Sequence, residues 1–198
     1  MDKKYLDLFN VQEGQLREVL EIALQRGGDY ADLYFEYTVS NELSLRDGEV
    51  NAVSSNIDYG VGIRVVSGDK TGFAFTEQTT LAEMKNAARI AAQIATLPDS
   101  VTNIPAAFTP VKGTNYSPIL SPWEDHTVTE KMGWLTSLNE KVFAKDSRIT
   151  KVLERLTDSN TKILFYYSLG ESFTDETLMA ALVMTCVMEE NGRIESSS

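Results

Sequence analysis

A chain of 198 residues, 42% apolar and 24% charged, has the make-up of one medium or two small globular domains and not of a disordered chain. Lysine and arginine number 18 against 29 aspartates and glutamates, and the net charge of -11 repels phosphate backbones and disfavours nucleic acid as a partner. One cysteine, Cys186, excludes an internal disulfide, and one histidine, His126, excludes a two-histidine zinc site or an HExxH motif.

The first residues, Met1-Asp2-Lys3-Lys4-Tyr5-Leu6-Asp7, place acids where a secretory signal needs an apolar core. No apolar run approaches the roughly 20 residues of a membrane span. The expectation is a cytoplasmic protein without a membrane partner.

In chain order, Leu16, Val19, Leu20 and Ala23 predict a helix over 13–26, ended by Gly27-Gly28. Strands are expected at Ala31–Ser44, Glu49–Ser55, Val61–Val66 and Gly72–Phe75. Arg46-Asp47-Gly48-Glu49 and Ser67-Gly68-Asp69-Lys70 carry the chemistry of reversals. A helix from Thr80, with Glu83 completing a capping box, buries Met84, Ala87, Ala88, Ala91 and Ala95.

All five prolines, Pro98, Pro105, Pro110, Pro118 and Pro122, then fall in one stretch. Residues 98–124 read as a connector between an α+β unit at 1–97 and a second at 125–198. The second opens with a capping box at Thr127 and Glu130 and a stripe of Val128, Leu135, Leu138 and Val142. Strands follow at Ile149–Leu156, Lys162–Leu169, Met179–Glu189 and Arg193–Ser196, with reversals at Asp158-Ser159-Asn160, Asp175-Glu176 and Asn191-Gly192. The fold class is α+β, two units of helix plus antiparallel strands with the helices on one face, in one continuous sheet or two.

The chemistry-bearing residues do not assemble a catalytic set. Gly60-Val61-Gly62 lacks the third glycine of a dinucleotide fingerprint and reads as close packing or a strand entry. Gly68-Asp69-Lys70-Thr71 lacks the Gly-Lys pair of a phosphate loop and reads as a hairpin turn. His126, beside Glu124 and Asp125, reads as a solvent-facing residue before a helix cap, and Cys186 as a small buried hydrophobe on an apolar strand. Glu189 and Glu190 read as a solvated hairpin tip. Tyr166 and Tyr167 point to opposite faces of their strand, so at most one is core. No catalytic, cofactor-binding or metal-ligating residue is assigned.

Three stretches carry a resemblance: Leu45-Arg46-Asp47-Gly48-Glu49-Val50, the run from Ser54 to Val66, and Gly68-Asp69-Lys70-Thr71-Gly72-Phe73-Ala74-Phe75-Thr76. With the alanine-rich helix from Leu81 to Ala95 and the distal Val187–Ser196 segment, they resemble the amino-terminal region of the TldD/PmbA proteins, closer to the TldD branch. The resemblance implies a cytoplasmic zinc metallopeptidase, dimeric with itself or with an inert relative. It also implies action on small unfolded polypeptides, under an older label of modulator of DNA gyrase.

The family's HExxxH motif and later cysteine belong to its carboxy-terminal domain, and neither His126 nor Cys186 matches them. The expectation is therefore a non-catalytic portion, inactive alone, that shields the cleft, supports dimerisation and guides peptide. It carries no cofactor of its own, zinc being implied for the missing domain. Two other readings remain at this point: a stand-alone module that pairs with a full-length relative, and an acidic DNA mimic. The second is disfavoured because the acids alternate with apolar residues.

Overall fold

The computed structural model describes residues 3–95, 105–106, 109–111 and 118–198. Much of the proline-rich connector thus lies outside the described residues. The elements run α1 (Lys3–Leu8), α2 (Glu13–Leu24), β1 (Tyr30–Arg46), β2 (Glu49–Ser67), β3 (Lys70–Thr76) and α3 (Leu81–Ala95). They continue with β4 (Thr109–Pro110), a 3-10 turn at Trp123–Asp125, α4 (Val128–Phe143), β5 (Ile149–Tyr167), β6 (Glu171–Glu190) and β7 (Arg193–Ser197). The class is α+β.

One sheet takes the order β3-β2-β1-β5-β6-β4, with β7 also on β6. Two of the reversals, β1–β2 and β6–β7, are built from paired left-handed residues: Asp47 and Gly48 at φ 54° and 83°, and Asn191 and Gly192 at φ 52° and 77°. This is the pattern a two-residue hairpin turn requires.

The expected strands were too short. Glu49–Ser55 and Val61–Val66 are one strand, as are Ile149–Leu156 and Lys162–Leu169, and Asp175-Glu176 lies inside β6. Asp158-Ser159-Asn160, read as a reversal, lies inside β5. Asp158 and Asn160 are buried and hydrogen-bonded, whereas Ser54, Ser55 and Asn56 lie exposed on β2. Turn propensity in Asp and Asn rests on local backbone hydrogen bonds, and a buried side-chain partner outcompetes them. The short helix α1 had no counterpart in the sequence reading.

The contacts divide the chain into two units, each taking in parts of the long strands: unit 1 is Met1–Tyr37, Asp58–Tyr116 and Lys162–Glu176, and unit 2 is Thr38–Ile57, Ser117–Thr161 and Thr177–Ser198. Unit 1 has the large core. Leu16, Val19, Leu20 and Ala23 of α2 and Met84, Ala87, Ala88, Ala91 and Ala95 of α3 pack with Ala31, Leu33 and Phe35 of β1, Val61, Ile63 and Val65 of β2, and Leu164 and Tyr166 of β5. The strand residues are every second one, as a sheet with one covered face demands.

Alanine on α3 lets the helix approach closely. A Cβ on Gly72 would stand 1.9 Å from the Ala91 carbonyl oxygen, so only glycine fits there. Gly62 is also a close-packing glycine, with the Phe73 ring over it and not a helix. In the same unit Thr109 and Pro110 run parallel to Glu171 and Ser172.

Unit 2 has a small apolar cluster of Leu43, Leu45, Leu135 and Leu156, with Met132 against it. Its helix α4 has the reciprocal capping box at Thr127 and Glu130. The buried stripe, however, is Lys131, Leu135 and Asn139, and Val128 is exposed. The expected apolar stripe is corrected by this rotation, which turns polar groups toward β5.

Candidate functional site

β6 is the chemically distinctive element of unit 2. Its residues Glu171 and Ser172 pair with β4 and Cys186–Glu190 pair with β7. Between those ladders, among the described residues, no strand occupies the β6 edge opposite β5. Met179, Leu182 and Val183 on that stretch are 66%, 51% and 51% exposed. The alternation Met179, Ala181, Val183 against Ala180, Leu182, Met184 makes both faces apolar, as expected for a strand needing cover on both sides, and neither face is covered in this unit. An open edge with apolar side chains is a template for a further strand.

Beside it runs a groove of about 400 Å³ that crosses four strands. It is lined by hydroxyls and amides of Ser40, Ser54, Asn56 and Ser159, by the Glu42 carboxylate, and by Met179, Ala180 and Ala181 of β6. Arg155 neutralises Glu42 at 2.6 Å. Asp158 and Asn41 line the groove too, and Asp158 accepts from Lys131 Nζ at 2.7 Å and from Asn41 Nδ2 at 2.9 Å. Lys131 also stands 5.6 Å from the centre of the Trp123 ring, and Asn160 donates to Glu124 Oε1 at 2.8 Å. These bonds hold α4 and the 3-10 turn on β5. The groove offers hydrogen bonds to a neutral polar chain but contains neither a histidine nor a cysteine, and so no nucleophile–base pair.

The residues weighed in the sequence lie apart. His126 is half-buried, not solvent-facing: its ring centre is 5.1 Å from that of Trp134 and 6.3 Å from that of Trp123, and Nε2 is 2.9 Å from Ser121 Oγ. Both indoles meet the imidazole edge to face. Cys186 is half-exposed because its strand lacks cover. Glu190 meets Arg148 at 3.3 Å on the surface. Tyr166 is buried, and Tyr167 lies on the other face.

Among the described residues, no three His, Cys, Asp or Glu side chains are grouped to hold a metal ion. The residues present do not fit a zinc centre. Also among the described residues, no helix is long and apolar enough to cross a membrane.

Sequence reasoning missed Lys131, Glu154 and Asn139 as buried groups. The signal was the spacing of Lys131, Leu135 and Asn139 at i, i+4 and i+8, which is as good a helical face as the apolar one.

Comparison with known proteins places this geometry. The family described as PmbA/TldA metallopeptidase domain 1 matches residues 31–95, and the PmbA/TldA metallopeptidase central domain matches residues 121–198. The chain belongs to the TldD/PmbA family. A relative in Haemophilus influenzae named metalloprotease TldD homolog is 32% identical over 189 residues, which are 96% of this chain and 39% of that protein. One of the same name in Buchnera aphidicola subsp. Schizaphis graminum is 29% identical over 167 residues, 84% of this chain and 34% of its own length.

Among solved structures of like fold, one from Thermotoga maritima, described as a modulator of a DNA gyrase, has a TM-score of 0.69 at 19% identity. It covers 93% of this chain and 41% of its own. TldE of Thermococcus kodakarensis has a TM-score of 0.61 at 15% identity, covering 91% of this chain and 40% of its own. The TldD/PmbA chain described here thus spans well under half the length of the relatives it matches.

Proposed function

We propose that this chain is the amino-terminal, non-catalytic part of a TldD-like metallopeptidase of the cytoplasm. There it shields the catalytic cleft, supports a dimer with itself or a TldD/PmbA relative, and guides an extended, unfolded peptide. Among the described residues no side chains group around an ion, and in this reading zinc belongs to a part of such an enzyme with other ligands. The observation that carries the reading is the open, apolar edge of β6 at Met179–Val183 beside a hydroxyl- and amide-lined groove. Strand addition supplies affinity through main-chain bonds that any polypeptide can make, and the groove supplies polar contacts to its side chains.

The exposed Val50, Val53 and Ile57 of β2 support the same reading. With a core of four leucines, unit 2 leaves apolar surface suited to burial against the rest of an enzyme or a second protomer. The reading also takes the helices of each unit to lie on one face of the sheet, supported in unit 1 by the alternation of the apolar core residues of β1 and β2 that pack with α2 and α3.

The test is to purify the 198-residue chain, measure its metal content, and assay an unstructured casein-derived peptide for both binding and hydrolysis. The account expects binding without hydrolysis and without stoichiometric zinc, and weaker binding by Leu182→Asp. Zinc-dependent hydrolysis by the isolated chain would overturn it. Absence of peptide binding, together with a stable complex with a full-length relative, would instead make the chain a separate pairing module.

A further inference from the structure

Unit 1 presents an aromatic surface that the peptide path along β6 does not use. Leu33, Phe35, Leu164 and Tyr166 point into the core beneath the helices, so the alternate residues Tyr34, Phe165 and Tyr167 face the other way. The Phe165 ring is 5.0 Å from Phe173, 5.3 Å from Tyr167 and 6.3 Å from Tyr34. Tyr167 lies 6.1 Å from Tyr30. Phe173 is 42% exposed, and Phe73 and Phe75 on β3 are 56% and 71% exposed.

Carboxylates border these rings. Glu171 accepts from the Tyr167 hydroxyl, Glu36 shares the outward side of β1 with Tyr34, and Asp175 shares that of β6 with Phe173. An apolar partner offers a charged carboxylate nothing in exchange for the hydration it displaces. An anionic partner would be repelled. A planar cation satisfies both parts, lying on a ring face while its N–H groups reach a carboxylate. The unit already contains one such assembly. The Arg64 guanidinium stands 5.7 Å from the Tyr30 ring centre and donates to Asp32 Oδ2 from Nε at 2.8 Å and from Nη2 at 2.6 Å.

We propose that this face of unit 1 binds an arginine-bearing polypeptide segment, its guanidinium groups laid on the Phe165, Phe173 and Tyr34 rings and paired to Glu36 and Asp175. The net charge of -11 favours approach of such a segment, and the rings select arginine over lysine.

The test titrates the 198-residue chain into a labelled, unstructured peptide of alternating glycine and arginine, read by fluorescence anisotropy. Its counterparts carry lysine, or the neutral isostere citrulline, in place of arginine. The proposal expects the arginine peptide to bind most tightly, lysine less so, and citrulline at least about tenfold more weakly. Phe173→Ser, which leaves the charge unchanged, and Glu36→Gln should each weaken arginine binding several-fold. Equal binding of arginine and citrulline peptides would overturn the proposal. So would arginine binding that is indifferent to both substitutions, since that is attraction to net charge alone.

Discussion

Lys131 on α4 and Asp158 on β5 meet at 2.7 Å with side chains only 7% and 3% exposed. Two charges are thus held out of water on the floor of the groove, with Asn41 occupying the second carboxylate oxygen. A buried pair of this kind contributes little over an apolar replacement, but breaking it strands one charge.

Lys131→Ala should therefore cost about 3–5 kcal/mol of unfolding free energy, read by urea denaturation. The double change Lys131→Met with Asp158→Leu should restore most of it. A single-variant loss below about 1 kcal/mol would show that water reaches Asp158 in solution.

Glu154 is the second buried charge, and it stands differently. It is 1% exposed, and neither carboxylate oxygen has a hydrogen-bond partner. Desolvation raises its pKa above the usual 4.5, while the Asn139 amide opposes the shift without coming into hydrogen-bonding geometry. The sign follows from linkage. Below pH 4.5 the carboxyl is neutral in both states and nothing is lost. As pH rises the unfolded chain ionises first, and stability falls by up to about 1.4 kcal/mol per pH unit until the folded group ionises too. Glu154→Gln should flatten that fall, leaving stability unchanged near pH 4 and raised at pH 8. An equal effect at both pH values would contradict it.

The strands were legible from alternation, but their lengths were not. Ser54-Ser55-Asn56 and Asp158-Ser159-Asn160 look alike in sequence; the expected strand Glu49–Ser55 ends within the first, and the second reads as a reversal. One lies exposed along β2 and the other is buried under α4, and only the position of a helix distant in sequence separates them. The hairpins at Asp47-Gly48 and Asn191-Gly192 were legible because their turn geometry is local. The α4 stripe misled because Val128, Leu138 and Val142 are better hydrophobes than Lys131 and Asn139. The choice between faces was made by partners on β5 that no helical periodicity contains. The open β6 edge was visible only as a strand apolar on both faces.

Two glycines should respond in opposite directions to alanine. Gly72→Ala drives a methyl into the Ala91 carbonyl and should cost about 1–3 kcal/mol or more through displacement of α3. Gly133 sits within α4 with nothing within 4 Å of a Cβ, so Gly133→Ala should gain about 0.5–1 kcal/mol from helix propensity. Thermal melting of both variants reads the contrast, and a neutral Gly72→Ala would refute close packing of α3 on β3.

The central claim is that β6 offers its edge to an extended chain. The most direct measurement is residue-resolved amide hydrogen exchange along β6, with and without an unstructured peptide of alternating valine and serine. The account predicts that alternate amides between Met179 and Val183 exchange rapidly in the free chain and become protected when peptide is added, and that Leu182→Asp abolishes the protection. Edge amides already protected in the free chain, or peptide binding that leaves them unchanged, would contradict it.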